Sequence, residues 1–196
     1  MRALLSILSF VALPAAAVQA CPTSTDLSTG FTVEFDDGAS EYYLALRDDL
    51  VRMEQSFDGD ITAVMDLGLG VFVLSYMDVY DGRPDPSTRI TTSYPEGIAS
   101  LRVPETGARW SEVTVGLNML DGPFEETVIV AWGSAGQLQI GGCDYTAIPG
   151  IVAYQSENTY SEGITYLPEL GVGFVSWYED GEGRYEYGAM NIRAGR

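Results

Sequence analysis

The sequence predicts an all-β chain, an antiparallel meander that curls into a barrel, half-barrel or sandwich. Three observations carry that expectation. Apolar residues recur with period two from Thr29 onward, the runs are short and begin about 8–12 residues apart, and turn residues separate most of them.

Taken in order, Phe31, Val33 and Phe35 alternate with Thr32 and Glu34, and Asp36-Asp37-Gly38 supplies a hairpin turn. Residues 41–47 (EYYLALR) form a second run, Asp48-Asp49 a turn, and residues 50–57 (LVRMEQSF) a third. Residues 41–57 also contain good helix formers, but the tyrosine pair and the Asp-Asp break favour strands. Asp58-Gly59-Asp60 turns the chain again, before runs at 61–65 and 71–80 around the bend Leu67-Gly68-Leu69-Gly70. Residues 81–88 (DGRPDPST) read as an exposed loop, because two prolines, a glycine and two aspartates break regular structure. Further runs fall at 98–103, 112–119, 127–132, 137–140, 145–154, 163–167, 173–179 and 184–191. Asp121-Gly122, residues 133–136 and residues 180–183 turn the chain between neighbours.

One phrase occurs twice, ITAVMDLGLG at 61–70 and ITYLPELGVG at 164–173. At an offset of 103 the copies share Ile61/Ile164, Thr62/Thr165, Leu67/Leu170, Gly68/Gly171 and Gly70/Gly173. What is shared is apolar and conformational, with neither nucleophile nor base, so the repeated unit reads as a scaffold hairpin. A true duplication would give the sheet internal pseudo-two-fold symmetry.

The first residues, MRALLSILSFVALPAAAVQAC, place one arginine before an apolar stretch and small residues before Cys21. That is the anatomy of a secretory signal peptide over residues 1–20, leaving one domain over 21–196 in the periplasm or secreted. No later stretch approaches the roughly twenty apolar residues of a spanning helix. The chain has ten cationic residues against twenty-eight acidic ones, all ten are arginine, and histidine is absent. A surface this acidic repels phosphate backbones, which argues against nucleic acid as a partner. It suits a soluble, monomeric protein in a salty medium, where charges are screened within roughly 10 Å, and the alternative reading is collection of cations such as calcium or of basic partners.

Cys21 and Cys143 are the two cysteines. In an oxidising compartment they can form one bridge, closing a loop worth roughly 4–5 kcal/mol in chain entropy. The alternative is a lipid anchor at Cys21, since Val18-Gln19-Ala20-Cys21 approaches a bacterial lipobox, with Gln19 departing from its pattern.

Much chemistry is closed to this chain. Without histidine there is no Ser-His-Asp or Cys-His catalysis and no histidine zinc site. Without lysine there is no Schiff base and no phosphate loop ending in Gly-Lys. Ser134 in Trp132-Gly133-Ser134-Ala135-Gly136 has no base to activate it, so that segment reads as a turn. No cofactor, metal site or catalytic residue is expected. Carboxylate-dependent hydrolysis is the enzymatic option left, but with twenty-eight acids a suitable pair arises by chance. Acidic turns such as Asp58-Gly-Asp60 and Glu179-Asp180-Gly-Glu182 match no calcium loop.

Of twelve tyrosines, Tyr154, Tyr160, Tyr166, Tyr178, Tyr185 and Tyr187 gather with Trp177 in the last third. Tyr185 and Tyr187 would share one face of a strand, with Glu186 on the other. Tyr154, Tyr166, Trp177, Tyr185 and Tyr187 are the candidates for a ligand-binding face, although sheets also use aromatics simply for cross-strand packing.

The segments ACPTSTDLSTGFTVEFDDG, IGGCDYTAIPGIVAY and ITYLPELGVGF together resemble a group of exported β-rich proteins of marine alphaproteobacteria to which no activity is assigned. That resemblance implies export and paired cysteines, and carries over no catalytic residue. The YLPELG hairpin is more loosely similar to periplasmic half-barrel proteins that hold lipid or lipoprotein chains. The leading expectation is an exported protein that holds an apolar or peptide-like ligand on a curved sheet without transforming it. The alternatives are a structural or assembly protein of the cell envelope that acts through contacts with other envelope proteins, and a carboxylate-dependent hydrolase.

Overall fold

The computed structural model describes residues 20–156 and 159–196. The expected signal peptide over 1–20 lies outside the described residues, apart from Ala20. Within them the fold is all-β. The first half runs through β1 (Phe31–Phe35), β2 (Ala39–Arg47), β3 (Leu50–Phe57), β4 (Asp60–Gly68), β5 (Phe72–Tyr80), β6 (Arg83–Pro84) and β7 (Ile90–Ser93). The second half contains β8 (Arg109–Asn118), β9 (Gly122–Trp132), β10 (Gly136–Ile140), β11 (Cys143–Gln155), β12 (Tyr160–Leu167) and β13 (Val172–Glu179). The chain ends in β14 (Arg184–Glu186) and β15 (Ala189–Ala194).

The turns follow the local chemistry. Phe57 pairs with Asp60 across Asp58-Gly59, whose φ values of 51° and 88° are both in the left-handed region that a two-residue hairpin requires. Asp81-Gly82 repeats the device between Tyr80 and Arg83.

Hydrogen-bonded neighbours follow the order β14-β13-β12-β11-β9-β8-β7-β5-β4-β3-β2-β1-β15, with β10 paired to β11 and β6 to β5. The result is one large curved sheet that does not close by strand pairing. β14 and β15 are consecutive in the chain yet lie at opposite ends of this order, with only Tyr187 and Gly188 between them. The sheet therefore curls until its two edges nearly meet. Tyr187 N–H donates to the Ser176 carbonyl (2.9 Å), while the Gly188 carbonyl accepts from Asp36 N–H (3.0 Å). These bonds staple the edges without completing the barrel.

Three sequence expectations need correction. The single run over 184–191 is two strands, broken where Tyr187-Gly188 crosses between sheet edges, so Tyr185 and Tyr187 do not share a strand face. The run at 98–103 is instead a 3-10 turn over Gly97–Ser100 followed by irregular chain. The loop at 81–88 contains β6 and a 3-10 turn at Pro86–Thr88, capped by the Asp85 carboxylate on Ser87 N–H. The pattern gave no signal for β7, which pairs with both β5 and β8 and so joins the two halves of the sheet.

Two apolar clusters fill one end of the half-barrel. One gathers Phe31, Val33, Tyr43, Leu167, Leu170 and Val172. The other gathers Phe72, Trp110, Val128, Val130, Trp132 and Val152. Side chains of this kind contribute about 1.5–3 kcal/mol each when fully buried. The segment after Cys21 seals this end. Cys21 and Cys143 are disulfide-bonded with Cα atoms 5.6 Å apart, and the Tyr145 hydroxyl donates to the Pro22 carbonyl. The bridge uses the thiol that a lipid anchor at Cys21 would need.

The two copies of the repeated phrase are both hairpins, and they touch. Gly173 N–H donates to the Gly70 carbonyl (3.0 Å), and a Cβ on Gly70 would lie 2.2 Å from the Gly171 carbonyl oxygen. Their turns differ in register. Gly68 ends β4, whereas its sequence counterpart Gly171 lies inside the turn before β13.

Candidate functional site

Strand alternation decides what the concave face presents. On β2, Ala39, Glu41 and Tyr43 point into the half-barrel; on β9, Phe124 and Glu126; on β12, Tyr160, Glu162 and Ile164. Toward the clusters these rows are filled with apolar side chains. Toward the turns that carry Asp37 and Asp121 they enclose a lumen of about 1090 Å³. Met53, Met65, Val73 and Phe174 give one part of its wall an apolar character. Tyrosines give another: Tyr154 and Tyr160 pair across β11 and β12 with ring centroids 4.5 Å apart, and Tyr178 follows at 5.6 Å from Tyr160.

Glu41, Glu126 and Glu162 project into this lumen from three different strands, and Asp37, Asp121 and Glu125 also line it. Glu41 is 5% exposed and accepts a hydrogen bond from the Tyr43 hydroxyl, which also reaches the Gly173 carbonyl at 3.3 Å. Burial pushes its carboxyl up to about 7, the hydrogen bond opposes the shift, and Asp37 and Glu162 reinforce it. Glu162 is likewise pushed up to about 7 by burial, against a hydrogen bond from Tyr154 (3.4 Å) and with reinforcement from Glu126. Glu126 is raised by burial and is 8% exposed. Thr114 donates to its backbone carbonyl, but no side chain among the described residues bonds its carboxyl. Burial also holds the hydroxyls of Tyr43, Tyr154 and Tyr160 neutral by raising them well above the usual phenol range.

Among the described residues no arginine lines the lumen. Several arginines pair elsewhere, Arg52 with Asp66, Arg193 with Glu34 and Arg196 with Glu54. Among the described residues, no group of three or more acidic or cysteine side chains is arranged to hold a metal ion.

Of the five aromatic candidates, Tyr154 and Tyr187 line the lumen. Tyr166 is buried at its closed end, edge-on to Trp132 at 6.2 Å. Trp177 lies on the other face, against Gly163 and under the Arg184 guanidinium at 4.0 Å. Tyr185 stands opposite Tyr178 on the edge strand β14, exposed and outside the lumen wall. The sequence reading did not single out Glu41, Glu126, Glu162 or Tyr43. A signal for the acids existed. Each occupies an apolar phase: Ala39-Glu41-Tyr43, Phe124-Glu126-Val128-Val130, and Tyr160-Glu162-Ile164-Tyr166.

No protein-family model matches this chain, and no curated protein sequence matches it. Among solved structures, the crystal structure of the hypothetical lipoprotein YmcC from Escherichia coli is similar in fold. The TM-score is 0.44 at 11% identity, over 84% of this chain and 87% of that one. Among the described residues no helix is long and apolar enough to cross a membrane. A disulfide of this kind marks an exported or envelope protein, because cytosolic thiols are kept reduced.

Proposed function

We propose that this protein is an exported binding protein that holds one apolar-chained ligand in the lumen of its half-barrel and releases it unchanged. The observation that carries this reading is the lumen itself. Its volume of about 1090 Å³ slightly exceeds the usual range for small-molecule sites, and its wall combines apolar and aromatic side chains with converging polar groups. The packed clusters and the N-terminal segment seal one end, so a ligand enters from the rim of turns.

Acid–base catalysis fits the site less well. A carboxyl pair that performs such chemistry is separated in pKa, one held ionised and the other held protonated. Here Glu41, Glu126 and Glu162 all shift upward from the same cause. Native mass spectrometry of protein purified from its own envelope tests the reading. A retained small-molecule adduct that is lost when Met65→Trp narrows the lumen supports it. A bare wild-type mass, together with no uptake of an added apolar probe, overturns it.

A second reading, contact with another envelope protein, draws on the outer face of β8. Val113, Val115 and Leu117 alternate there and continue into Met119 and Leu120, all exposed among the described residues. Replacing Val115 and Leu117 with threonine removes the stripe without touching the lumen, so loss of a captured partner with ligand uptake intact favours this second reading.

A further inference from the structure

We propose that the lumenal ligand carries a cationic amine nitrogen, seated against Glu126 and Glu162 with Glu41 behind them, and faced by the rings of Tyr154, Tyr160 and Tyr178. This rests on the lumenal binding reading and names the chemistry of what is bound.

The lumen's inventory of charge is the first argument. Glu41, Glu126 and Glu162 from β2, β9 and β12 project into one cavity that Asp37, Asp121 and Glu125 also line, and among the described residues no cationic side chain lines it. The chain cannot supply one from a neighbouring turn as lysine or histidine, because it has neither. Carboxyls removed from water stay costly unless a donor or a cation meets them. Tyr43 meets Glu41 and Tyr154 meets Glu162. Glu126 is 8% exposed as a residue and lines the cavity, its carboxyl reached from the lumen, and no side chain among the described residues bonds it. A positively charged donor brought by the ligand complements these acids.

The walls narrow the choice. An anionic head group would face six acidic residues inside a protein whose net formal charge is already −18. A lone divalent metal is a poor fit, since among the described residues the acids are not grouped as metal ligands. An organic ammonium suits both surfaces. Its N–H groups make charge-assisted hydrogen bonds to Glu126 and Glu162, and its charge lies against the electron-rich faces of the stacked tyrosines. Met53, Met65 and Val73 offer the attached alkyl chain an apolar path. Alcohols share the shape of such a ligand but not its charge.

The test compares three probes of equal length, decylammonium, decanol and decanoate, each titrated below its micellar concentration into the disulfide-bonded protein at pH 8. About 0.3 M salt screens the acidic outer surface to within roughly 6 Å, so that only the lumen discriminates. Wild type is expected to bind decylammonium at least about tenfold more tightly than decanol, and decanoate weakest, as charge-assisted hydrogen bonds require. In the double variant Glu126→Gln/Glu162→Gln the amine preference should fall to about threefold or less, with decanol affinity within about twofold of wild type. Unchanged decanol binding shows that the lumen is intact. Equal affinity for amine and alcohol in wild type, or an amine preference that survives the double substitution, overturns the cationic ligand and leaves the lumenal reading standing. If none of the three probes binds, the lumenal reading falls and this inference falls with it.

Discussion

Replacing Glu41 with glutamine should stabilise this protein at pH 8 and leave it nearly unchanged at pH 4. Glu41 is 5% exposed, and its carboxyl is pushed from the ordinary 4.5 up to about 7, chiefly by burial. Between those two values the folded chain holds a proton that the unfolded chain has already released. Stability present below pH 4.5 is therefore lost as pH rises, and the loss is complete above about 7. At 1.36 kcal/mol per unit this amounts to about 3 kcal/mol for Glu41 alone. Glutamine keeps the shape, still accepts the Tyr43 hydroxyl hydrogen and never ionises. Urea unfolding of wild type and Glu41→Gln at pH 4 and pH 8, with the disulfide intact, reads the difference. The variant should gain about 3 kcal/mol relative to wild type between the two pH values, roughly 6–12 °C in melting temperature for a domain of this size. A gain equal at both pH values, or a loss at pH 8, would refute the reasoning, because it would mean that the lumenal carboxylate is hydrated or paired.

Two further outcomes follow from the scaffold. Gly70→Ala should cost about 2–4 kcal/mol, since its Cβ would lie 2.2 Å from the Gly171 carbonyl at a φ of +69°. Gly59→Ala, also left-handed but with nothing within 4 Å, should cost only about 1 kcal/mol; equal midpoints for the two in urea would remove the contact between hairpins from the argument. Changing both Cys21 and Cys143 to serine reopens a separation of 122 residues and should lower stability by about 4–5 kcal/mol, measured as the drop in thermal midpoint. A drop under about 1 kcal/mol would show that packing of the N-terminal segment already constrains the unfolded chain.

Legibility in the sequence tracked the range of the interactions. The third strand, 50–57, has its observed ends in the sequence because alternation and the flanking Asp-Asp and Asp-Gly turns are local. Residues 98–103 looked like a strand from apolar content but have no partner strand to complete their hydrogen bonds. Residues 184–191 looked like one strand because nothing local marks Tyr187-Gly188 as the crossing between two sheet edges. The candidate site was read by residue type, through a concentration of tyrosines, and only Tyr154 and Tyr187 of the five chosen line the lumen. Trp177 and Tyr185 share the composition and miss the cavity, one by facing the other way and the other by standing on the sheet's edge.

By itself the sequence determined the strand-and-turn grammar, the exclusion of histidine and lysine chemistry, and a cysteine pair able to bridge. Each depends on composition or on neighbours a few residues apart. The tertiary structure alone decided that Glu41, Glu126 and Glu162 share a cavity. Those residues sit on strands far apart in the sheet order, β2, β9 and β12, and only the curl of the sheet turns their faces toward one another. Curl and register come from packing between distant segments, such as Gly70 against Gly171 and Cys21 against Cys143. An acid in an apolar phase announces that something unusual faces inward; what it faces is fixed by the other side of the barrel.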